Sequence, residues 1–267
     1  RPPRSTPKPS SAASDVYKRQ VQVNQIKFYI FLGAIISSFL AQDLIAADLN
    51  QTKEEFSAKV VKTYSYNYLK YLPKDYDGKT KFPLLLFLHG AGERGDNLEK
   101  VAVHGPPKLI KQGKQFPFIV ISPQCPKGSR WNPNALDAML DKIIKSHAVD
   151  ESRIYCTGLS MGGFGTWALG GTNPSRFAAF APICGGGVWM DAFQMWKKPI
   201  WVFHGDADNV VPLAESERMV RALKRRGGKP KFTIYKGVNH DSWTETYDNP
   251  KLYEWFLSHK INKPSKK

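Results

Sequence analysis

The sequence predicts an α/β fold in which helices cover both faces of one mostly parallel, twisted sheet. Two observations predict it. Short runs rich in apolar, β-branched and aromatic residues alternate along the chain with segments of helical periodicity. The run from Phe82 to His89 is almost continuously apolar, as is typical of strands buried on both faces. Strands that alternate with helices require right-handed parallel crossovers, which collect functional residues at the carboxyl ends of the strands.

The predicted elements follow one another without an internal repeat or linker. Strands are expected at Val60 to Leu72, Phe82 to His89, Phe116 to Ser122, Ile154 to Thr157, Phe177 to Ile183, Ile200 to His204 and Phe232 to Tyr235. Helices are expected at Ala135 to His147, Gly162 to Gly170, Leu213 to Arg226 and Trp243 to His259. The first of these helices is amphipathic, because its apolar residues recur at three- and four-residue spacing.

The beginning of the chain differs from the rest in composition. Residues 1–23 are rich in Pro, Ser, Arg and Lys, and we interpret them as a disordered or non-native tract. Residues 24–47 contain an apolar run from Phe28 to Ala41 followed by small residues, which indicates a secretory signal peptide. An uncleaved anchor or a buried helix is the alternative. We therefore expect a secreted or periplasmic protein, without a stable membrane anchor, whose residues 48–267 form a single α/β domain.

Charge and composition exclude some classes of protein. Hydrophobic residues make up 42% of the 267, so the chain is globular rather than disordered. The formal net charge is +16, and residues 48–267 retain 33 basic against 21 acidic residues. Aromatic and basic residues are not interleaved as on nucleic-acid surfaces, so no nucleic-acid partner is expected. The positive charge then serves solubility or attraction to acidic polymers and anionic surfaces.

Neither a metal nor a cofactor is expected. Cys125, Cys156 and Cys184 are widely spaced and form no C-x-x-C pair, although one disulfide among them remains open. The glycines at 185–187 lack the downstream residues of a phosphate-binding loop and indicate a flexible loop beside the site. The sequence contains no H-E-x-x-H motif and no dinucleotide-binding fingerprint.

Ser160 is the candidate nucleophile. It lies at the centre of Gly158-Leu159-Ser160-Met161-Gly162, a G-x-S-x-G pattern between a predicted strand and a predicted helix. This chemistry needs small flanking residues, because the sharp strand-to-helix turn strains the serine backbone and leaves no room for larger side chains. An ordinary glycine-rich helix start is the structural alternative.

A serine hydroxyl needs a base that a carboxylate orients, and both candidates follow Ser160 in the order expected on this fold. Asp208 lies in the loop after the strand Ile200 to His204, where Asp206 is the competing carboxylate with a loop-capping alternative. His240 lies between the last strand and the last helix. The other histidines are better explained structurally: His89 and His204, for instance, end strands in His-Gly pairs.

The developing oxyanion needs two backbone N–H donors. Met161, directly after the nucleophile, is one candidate, and Ala91 in the loop after the strand Phe82 to His89 is the other. Gly92 is the neighbour that competes with Ala91. The substrate-contact candidates, each with a structural alternative, lie in loops near strand ends: Glu93, Arg94, Trp131 and Trp189.

Several segments together resemble bacterial α/β-hydrolases of the dienelactone hydrolase and prolyl oligopeptidase-like superfamily, often described as predicted peptidases or carboxylesterases. The segments are residues 71–76 (YLPKDY), 88–95 (LHGAGERG), 122–126 (SPQCP), the Ser160 turn, 204–208 (HGDAD) and 239–240. The resemblance covers about Tyr64 to Leu257. It implies the α/β-hydrolase fold, a triad of Ser160, Asp208 and His240, and an oxyanion hole formed by the amides of Ala91 and Met161.

The resemblance also narrows the expected activity. Dienelactone hydrolases use a Cys nucleophile, so Ser160 favours the serine esterase branch. The chain leaves no room for the propeller domain of prolyl oligopeptidases, which weakens a peptidase reading. We expect a carboxylesterase similar to feruloyl or acetyl esterases, acting on a small-molecule or polysaccharide-linked ester. The alternatives are a small serine peptidase and a non-catalytic carbohydrate-binding or adhesion protein on a hydrolase scaffold.

Overall fold

The computed structural model describes residues 53–262, and the expectations for residues 1–23, 24–47 and 48–52 lie outside them. Residues 53–62 contain no helix or strand, and the fold described below starts at Thr63. No helix among residues 53–262 combines the length and apolar character needed to cross a bilayer.

Seven strands form one sheet in the order β1-β3-β2-β4-β5-β6-β7. The strands are β1 (Tyr68–Tyr71), β2 (Phe82–Leu88), β3 (Ile119–Pro123), β4 (Val149–Leu159), β5 (Ala179–Ile183), β6 (Trp201–Gly205) and β7 (Lys231–Tyr235). Edge strand β1 runs antiparallel to β3, and the other neighbours are parallel. The mostly parallel sheet predicted from the sequence is confirmed.

Seven α-helices accompany the sheet in the described part of the chain. They are α1 (Gly105–Lys111), α2 (Pro133–Ser146), α3 (Met161–Thr172), α4 (Trp189–Met195), α5 (Leu213–Arg225), α6 (Trp243–Asp248) and α7 (Pro250–Leu257). Short 3₁₀ segments follow β2 at Ala91–Glu93 and Leu98–Val103, and a third lies at Pro174–Arg176. Lys224 and Arg225 lie in the last turn of α5 and Arg226 follows it, at the end of the helix where the helix dipole favours cations.

The two faces of the sheet bury separate hydrophobic layers. Alternate residues of β2 point to opposite faces, so Leu84 and Leu86 pack with α2, α3, α4 and α5, whereas Leu85 and Phe87 pack with α1, α6 and α7. All four of these β2 side chains are fully buried. The continuous apolar run of the sequence therefore reflects a central strand that is covered on both sides.

Predicted and observed bounds differ at several elements, for instance at β4, which is 11 residues long where four were predicted, and two elements differ in a way that has a clear cause. The strand predicted at Val60 to Leu72 is reduced to β1, because its partner β3 is only five residues long and the register places Tyr68 opposite the last of them, Pro123. The helix predicted at Trp243 to His259 is broken into α6 and α7 at Asn249, which is extended (φ −76°, ψ 112°) because Pro250 disfavours helical geometry in the preceding residue.

Candidate active site

Ser160 lies at a sharp turn between β4 and α3. Its backbone has φ 52° and ψ −116°, a region that non-glycine residues rarely adopt. The amide of Ser160 donates to the carbonyl of Ile183 (3.0 Å), and its carbonyl accepts from the amide of Phe164 (3.1 Å). These bonds hold the strained residue and leave its half-buried side chain at the carboxyl edge of the sheet.

The glycines of the G-x-S-x-G pattern are required by close backbone contacts. A Cβ on Gly158 would lie 2.4 Å from the carbonyl oxygen of Gly162. A Cβ on Gly162 would lie 1.9 Å from the carbonyl oxygen of Leu88, at the end of β2. Both distances are shorter than any real Cβ contact. The first turn of α3 can therefore approach β2 and β4 this closely only when both positions are glycine.

Three side chains from three loops form a hydrogen-bonded chain. The Nε2 atom of His240 lies 2.9 Å from the Oγ atom of Ser160, and its Nδ1 atom lies 2.7 Å from Oδ2 of Asp208. Asp208 follows β6, and His240 follows β7. The structure thus brings together the nucleophile, base and acid that the sequence predicts, in the arrangement in which a histidine can take the proton of a serine.

The carboxylate of Asp208 is fixed from both sides. Its Oδ1 atom accepts the amides of Val210 and Val211, each at 2.9 Å. Its Oδ2 atom also lies 3.2 Å from Nε2 of His204, which is fully buried. Burial raises the pKa of Asp208, but the hydrogen bonds from His240 and from the two amides outweigh it and leave the pKa below its ordinary value. Asp208 is therefore ionised and can orient the imidazole.

The two loops that carry the acid and the base are tied together. The side-chain oxygen of Asn239 accepts the amides of Asn209 (3.1 Å) and His240 (2.8 Å). Asp206, the competing carboxylate, instead accepts the amide of Gly237 at 2.6 Å, the loop role that the sequence offered for it. These bonds fix the spacing between Asp208 and His240.

The predicted oxyanion donors lie beside Ser160. Met161 is the first residue of α3 and Ala91 the first of a 3₁₀ segment, so neither amide has an acceptor within its own helix. Both residues line the same cleft as Ser160. The Ala91 loop also passes close to the nucleophile, since a Cβ on Gly90 would lie 3.7 Å from the Cβ of Ser160. The arrangement can present two N–H groups to a carbonyl oxygen bound there.

The cleft above Ser160 has a volume of about 460 Å³. Its wall is largely apolar and also contains three charged residues. Besides Ala91, Ser160 and Met161, the lining includes Arg94, Arg130, Trp131, Phe164, Ala168, Val188 and Asp191. Two of the predicted substrate contacts, Arg94 and Trp131, line it. Arg94 is anchored by hydrogen bonds to the carbonyls of Ala91 (2.9 Å) and Ser129 (3.2 Å).

The other two predicted contacts do not line the cleft. The carboxylate of Glu93 turns inward, with oxygens 3.9 Å from ring nitrogens of His89 and His104. Trp189 begins α4 and packs edge-on against Phe193, one turn along the helix, with 43% of its surface exposed. Chain position placed both residues near the site, but side-chain direction, which the sequence does not specify, turns them away from it.

Several neighbours of the site carry no motif. The indole of Trp243 meets the ring of His240 edge-on, with 5.1 Å between the ring centres. Its Nε1–H donates to Nδ1 of His104, with 3.3 Å between the two nitrogens. Among the cleft residues, Arg130, Phe164 and Asp191 were not anticipated. Position just after the nucleophile was the available signal for Phe164, whereas nothing in the sequence marked Trp243.

Cys184, Asp208 and His240 place three potential metal-ligand atoms within 4.8 Å of one another. Burial raises the pKa of the Cys184 thiol to about 12, so it stays protonated and is a poor ligand. Asp208 and His240 already bond to each other and, through His240, to Ser160. The donor set thus suits a proton relay better than a cation.

Cys125, Cys156 and Cys184 are all buried free thiols, so the disulfide left open by the sequence is not formed.

Comparison with known proteins decides the wider relationship. The model of the prolyl oligopeptidase family matches residues 188–262. The chain is similar to a thermostable esterase of known structure, with 36% identity and a TM-score of 0.63 over 72% of this chain and 59% of the esterase. The chain belongs to the α/β-hydrolase superfamily. The resemblance inferred from the sequence segments is confirmed at this level.

Curated members of the superfamily match in part. A poly(3-hydroxyalkanoate) depolymerase C of Paucimonas lemoignei is 31% identical, the match covering 62% of this chain and 53% of that protein. A bifunctional acetylxylan esterase/xylanase of Neocallimastix patriciarum is 28% identical, covering 65% of this chain and 26% of that protein. The chain thus spans about half of the first relative and a quarter of the second.

Proposed function

We propose that this α/β-hydrolase is a serine hydrolase that cleaves carboxylic esters through an acyl-enzyme. The observation that carries the proposal is the hydrogen-bonded chain from Ser160 Oγ through His240 to Asp208, with distances of 2.9 and 2.7 Å. The similarity to esterases of the same fold supports it. The substrate is a small-molecule or polysaccharide-linked ester, which the relatives named for acetylxylan and polyester cleavage support.

In the first half-reaction, His240 Nε2 takes the proton of Ser160 as Oγ attacks the ester carbonyl. Asp208 holds the imidazole by its Nδ1–H and stabilises the imidazolium. The amides of Ala91 and Met161 donate to the oxyanion, and a single such donor is typically worth about 10²- to 10³-fold in rate. His240 then gives its proton to the leaving alcohol, and the acyl group stays on Ser160.

In the second half-reaction, water replaces the alcohol. His240 takes a proton from the water as it attacks the acyl carbonyl, and the same two amides stabilise the second oxyanion. The bond between Oγ and the acyl carbon breaks, and Oγ of Ser160 recovers the proton from His240. One ester and one water are consumed, and one acid and one alcohol are released.

The test uses the whole chain beside a Ser160→Ala variant. The substrates are p-nitrophenyl acetate, p-nitrophenyl butyrate, longer p-nitrophenyl esters and methyl ferulate. We expect turnover that the variant loses, with a chain-length preference set by the apolar wall of the cleft. Activity that is unchanged in the variant, or absent on every ester, would overturn the proposal.

A small serine peptidase is the second candidate, because the matching family model is that of prolyl oligopeptidases. A matched pair of substrates separates the two: the p-nitrophenyl ester and the p-nitroanilide of the same acylated amino acid. Both kinds of enzyme hydrolyse the activated ester, so the anilide decides between them: a peptidase cleaves it with turnover that Ser160→Ala loses, whereas an esterase leaves it uncleaved. Covalent labelling of Ser160 by a fluorophosphonate distinguishes either enzyme from a non-catalytic binding protein.

We also propose that the protein is secreted or periplasmic. The support is the apolar segment within residues 24–47, which has the length and flanks of a signal peptide. Expression of the chain with and without residues 24–47, followed by cell fractionation, tests this. Export that does not depend on the segment would contradict it.

A further inference from the structure

A second cavity, of about 490 Å³, lies at the amino edge of the sheet. Its walls come from residues 196–200 between α4 and β6, residues 227–229 after α5, Lys231 at the start of β7, and Trp255 and His259 at the end of α7. The candidate active site lies beyond the other ends of β6 and β7. Since each strand has five residues, the two edges are separated by roughly 15 Å at about 3.3 Å per residue. The cavity is therefore distinct from the catalytic cleft.

The described lining of this cavity is cationic without a compensating acid. Four lysines contribute to it, and no Asp or Glu does: Lys197, Lys198, Lys229 and Lys231. Lys198 donates to the carbonyl of Phe177 (3.0 Å), and Lys231 lies over the ring of Trp201 (3.5 Å). Lys197, Lys229 and Lys231 are exposed. Like charges gathered around one concavity favour the entry of an anion.

Aromatic surface lines the same cavity. Trp196 and Trp255 are half-buried there, and Lys197 lies 4.9 Å from the centre of the Trp196 ring. The ring of His259 meets Trp255 edge-on at 4.9 Å. The Nε2 atom of His259 is buried and has no hydrogen-bond partner among residues 53–262. A buried nitrogen without a partner costs free energy that a bound polar group would offset.

Two neighbouring groups respond to the local electrostatics. Burial lowers the pKa of Lys198. Burial, and then the charge of Lys231, lower the pKa of His259. Positive charge is thus disfavoured at both residues, and a bound anion would relieve this.

We propose that this cavity binds an anionic sugar, a pyranose unit carrying a carboxylate or a phosphate. The indole faces suit the C–H face of a sugar ring, and the lysines suit its negative group. The volume lies within the range of small-molecule sites. Single-stranded nucleic acid is bound along extended grooves that follow the backbone, whereas these cations surround one concavity. The site holds the enzyme on acidic carbohydrate without taking part in the hydrolysis.

Isothermal titration calorimetry on the whole chain tests the proposal with D-glucuronate, glucose 6-phosphate, D-glucose and inorganic phosphate as probes. We expect saturable one-to-one binding of at least one anionic sugar, at least ten-fold tighter than that of glucose or phosphate. The two anionic sugars distinguish a carboxylate from a phosphate ligand. Binding should weaken as salt is raised, because exposed charges are screened.

The variant Lys197→Gln/Lys229→Gln removes two of the three exposed lysines and keeps Lys198 and Lys231, which contact Phe177 and Trp201. We expect its affinity for the anionic sugar to fall at least ten-fold. The matched control, Lys142→Gln/Lys145→Gln, removes two exposed lysines of α2 outside the cavity and should bind like the wild type. Ester hydrolysis should be unchanged in both variants, which separates this proposal from that of the catalytic function.

Four outcomes would overturn the proposal. If glucose bound as tightly as the anionic sugars, the negative charge would be irrelevant to binding. If inorganic phosphate bound as tightly, the sugar ring would be irrelevant. If the α2 control lost as much affinity as the cavity variant, the loss would come from the overall charge of the protein and not from the cavity. Tighter binding of a single-stranded oligonucleotide than of either anionic sugar would replace a sugar site by a nucleic-acid site.

Discussion

The two ends of strands β6 and β7 carry opposite arrangements of charge. At the carboxyl ends, Asp208 and His240 pair with each other, and backbone amides hold the acid in place. At the amino ends, lysines such as Lys197 and Lys229 stand exposed with no acid in the described wall. A fixed, hydrogen-bonded set of groups suits proton transfer, whereas cations without a neighbouring acid suit the attraction of an anionic ligand. The same two strands thus support different chemistry at each end.

The largest expected effect comes from the acid at the carboxyl edge. Asp208→Asn should lower kcat for ester hydrolysis by about 10³- to 10⁴-fold, because the amide no longer holds His240 in the required tautomer. Steady-state kinetics on p-nitrophenyl butyrate measure this. Lys197→Gln/Lys229→Gln at the amino edge is the control and should keep wild-type activity. A loss below ten-fold in Asp208→Asn would remove the acid from the mechanism.

The rigidity of the carboxyl edge predicts a stability effect. Gly162→Ala should lower the free energy of unfolding by roughly 3 kcal/mol or more, because the new Cβ would clash with the backbone carbonyl of Leu88 at 1.9 Å. Chemical denaturation measures it. Gly92→Ala, where nothing lies within 4 Å of the added Cβ, should change stability by about 0.5 kcal/mol at most. Equal effects of the two substitutions would contradict the close contact.

The cations of the catalytic cleft allow the two edges to be compared directly. Arg130 is exposed and lines the cleft. Arg130→Gln should lower kcat/KM for 4-acetoxybenzoate about 3- to 10-fold, because one charge that attracts the carboxylate is lost. The isosteric neutral ester 4-acetoxybenzamide is the control substrate and should be unaffected. Equal losses on both esters would mean that Arg130 does not act through its charge.

The smallest effect concerns pH. The folded-state pKa of Asp208 is lowered, so its ionised form stabilises the fold above the ordinary value of 3.8, and this contribution is lost as the pH falls through the folded-state pKa. The difference in unfolding free energy between the wild type and Asp208→Asn should thus shrink on acidification below about pH 4. Chemical denaturation between pH 2 and 7 measures it. If the difference in unfolding free energy grew in acid, the folded-state pKa of Asp208 would be raised and not lowered.

Sequence reasoning succeeded where local geometry dictates residue type. The glycines around Ser160 are visible in sequence because the turn excludes side chains, and chain order then points to Asp208 and His240. The predicted bounds were wrong where the length of an element depends on its partner, as in β1, whose length is set by β3. Pro250 in the sequence indicates the break at Asn249, but the helical pattern on both sides of it led to the prediction of one continuous helix.

Side-chain direction in loops was the other limit. Glu93 ends a 3₁₀ segment and Arg94 follows it directly, yet Arg94 lines the cleft whereas Glu93 turns toward His89 and His104. Short helices such as α1 and α4 also escaped prediction, because seven residues give too few turns for a periodic pattern. The catalytic roles assigned to Ser160, Asp208 and His240 remain predictions that the kinetic experiments above test.

The direct contact between the first turn of α3 and the backbone of β2 has a consequence for engineering. We expect random substitution at Gly158 or Gly162 to give mostly misfolded protein, since a Cβ at either position would overlap backbone atoms. Val188 and Asp191 line the same cleft from α4 and the loop before it, where Val188 is exposed. A mutant library aimed at new ester specificity therefore belongs in that segment, where variation alters the cleft without disturbing the turn that carries Ser160.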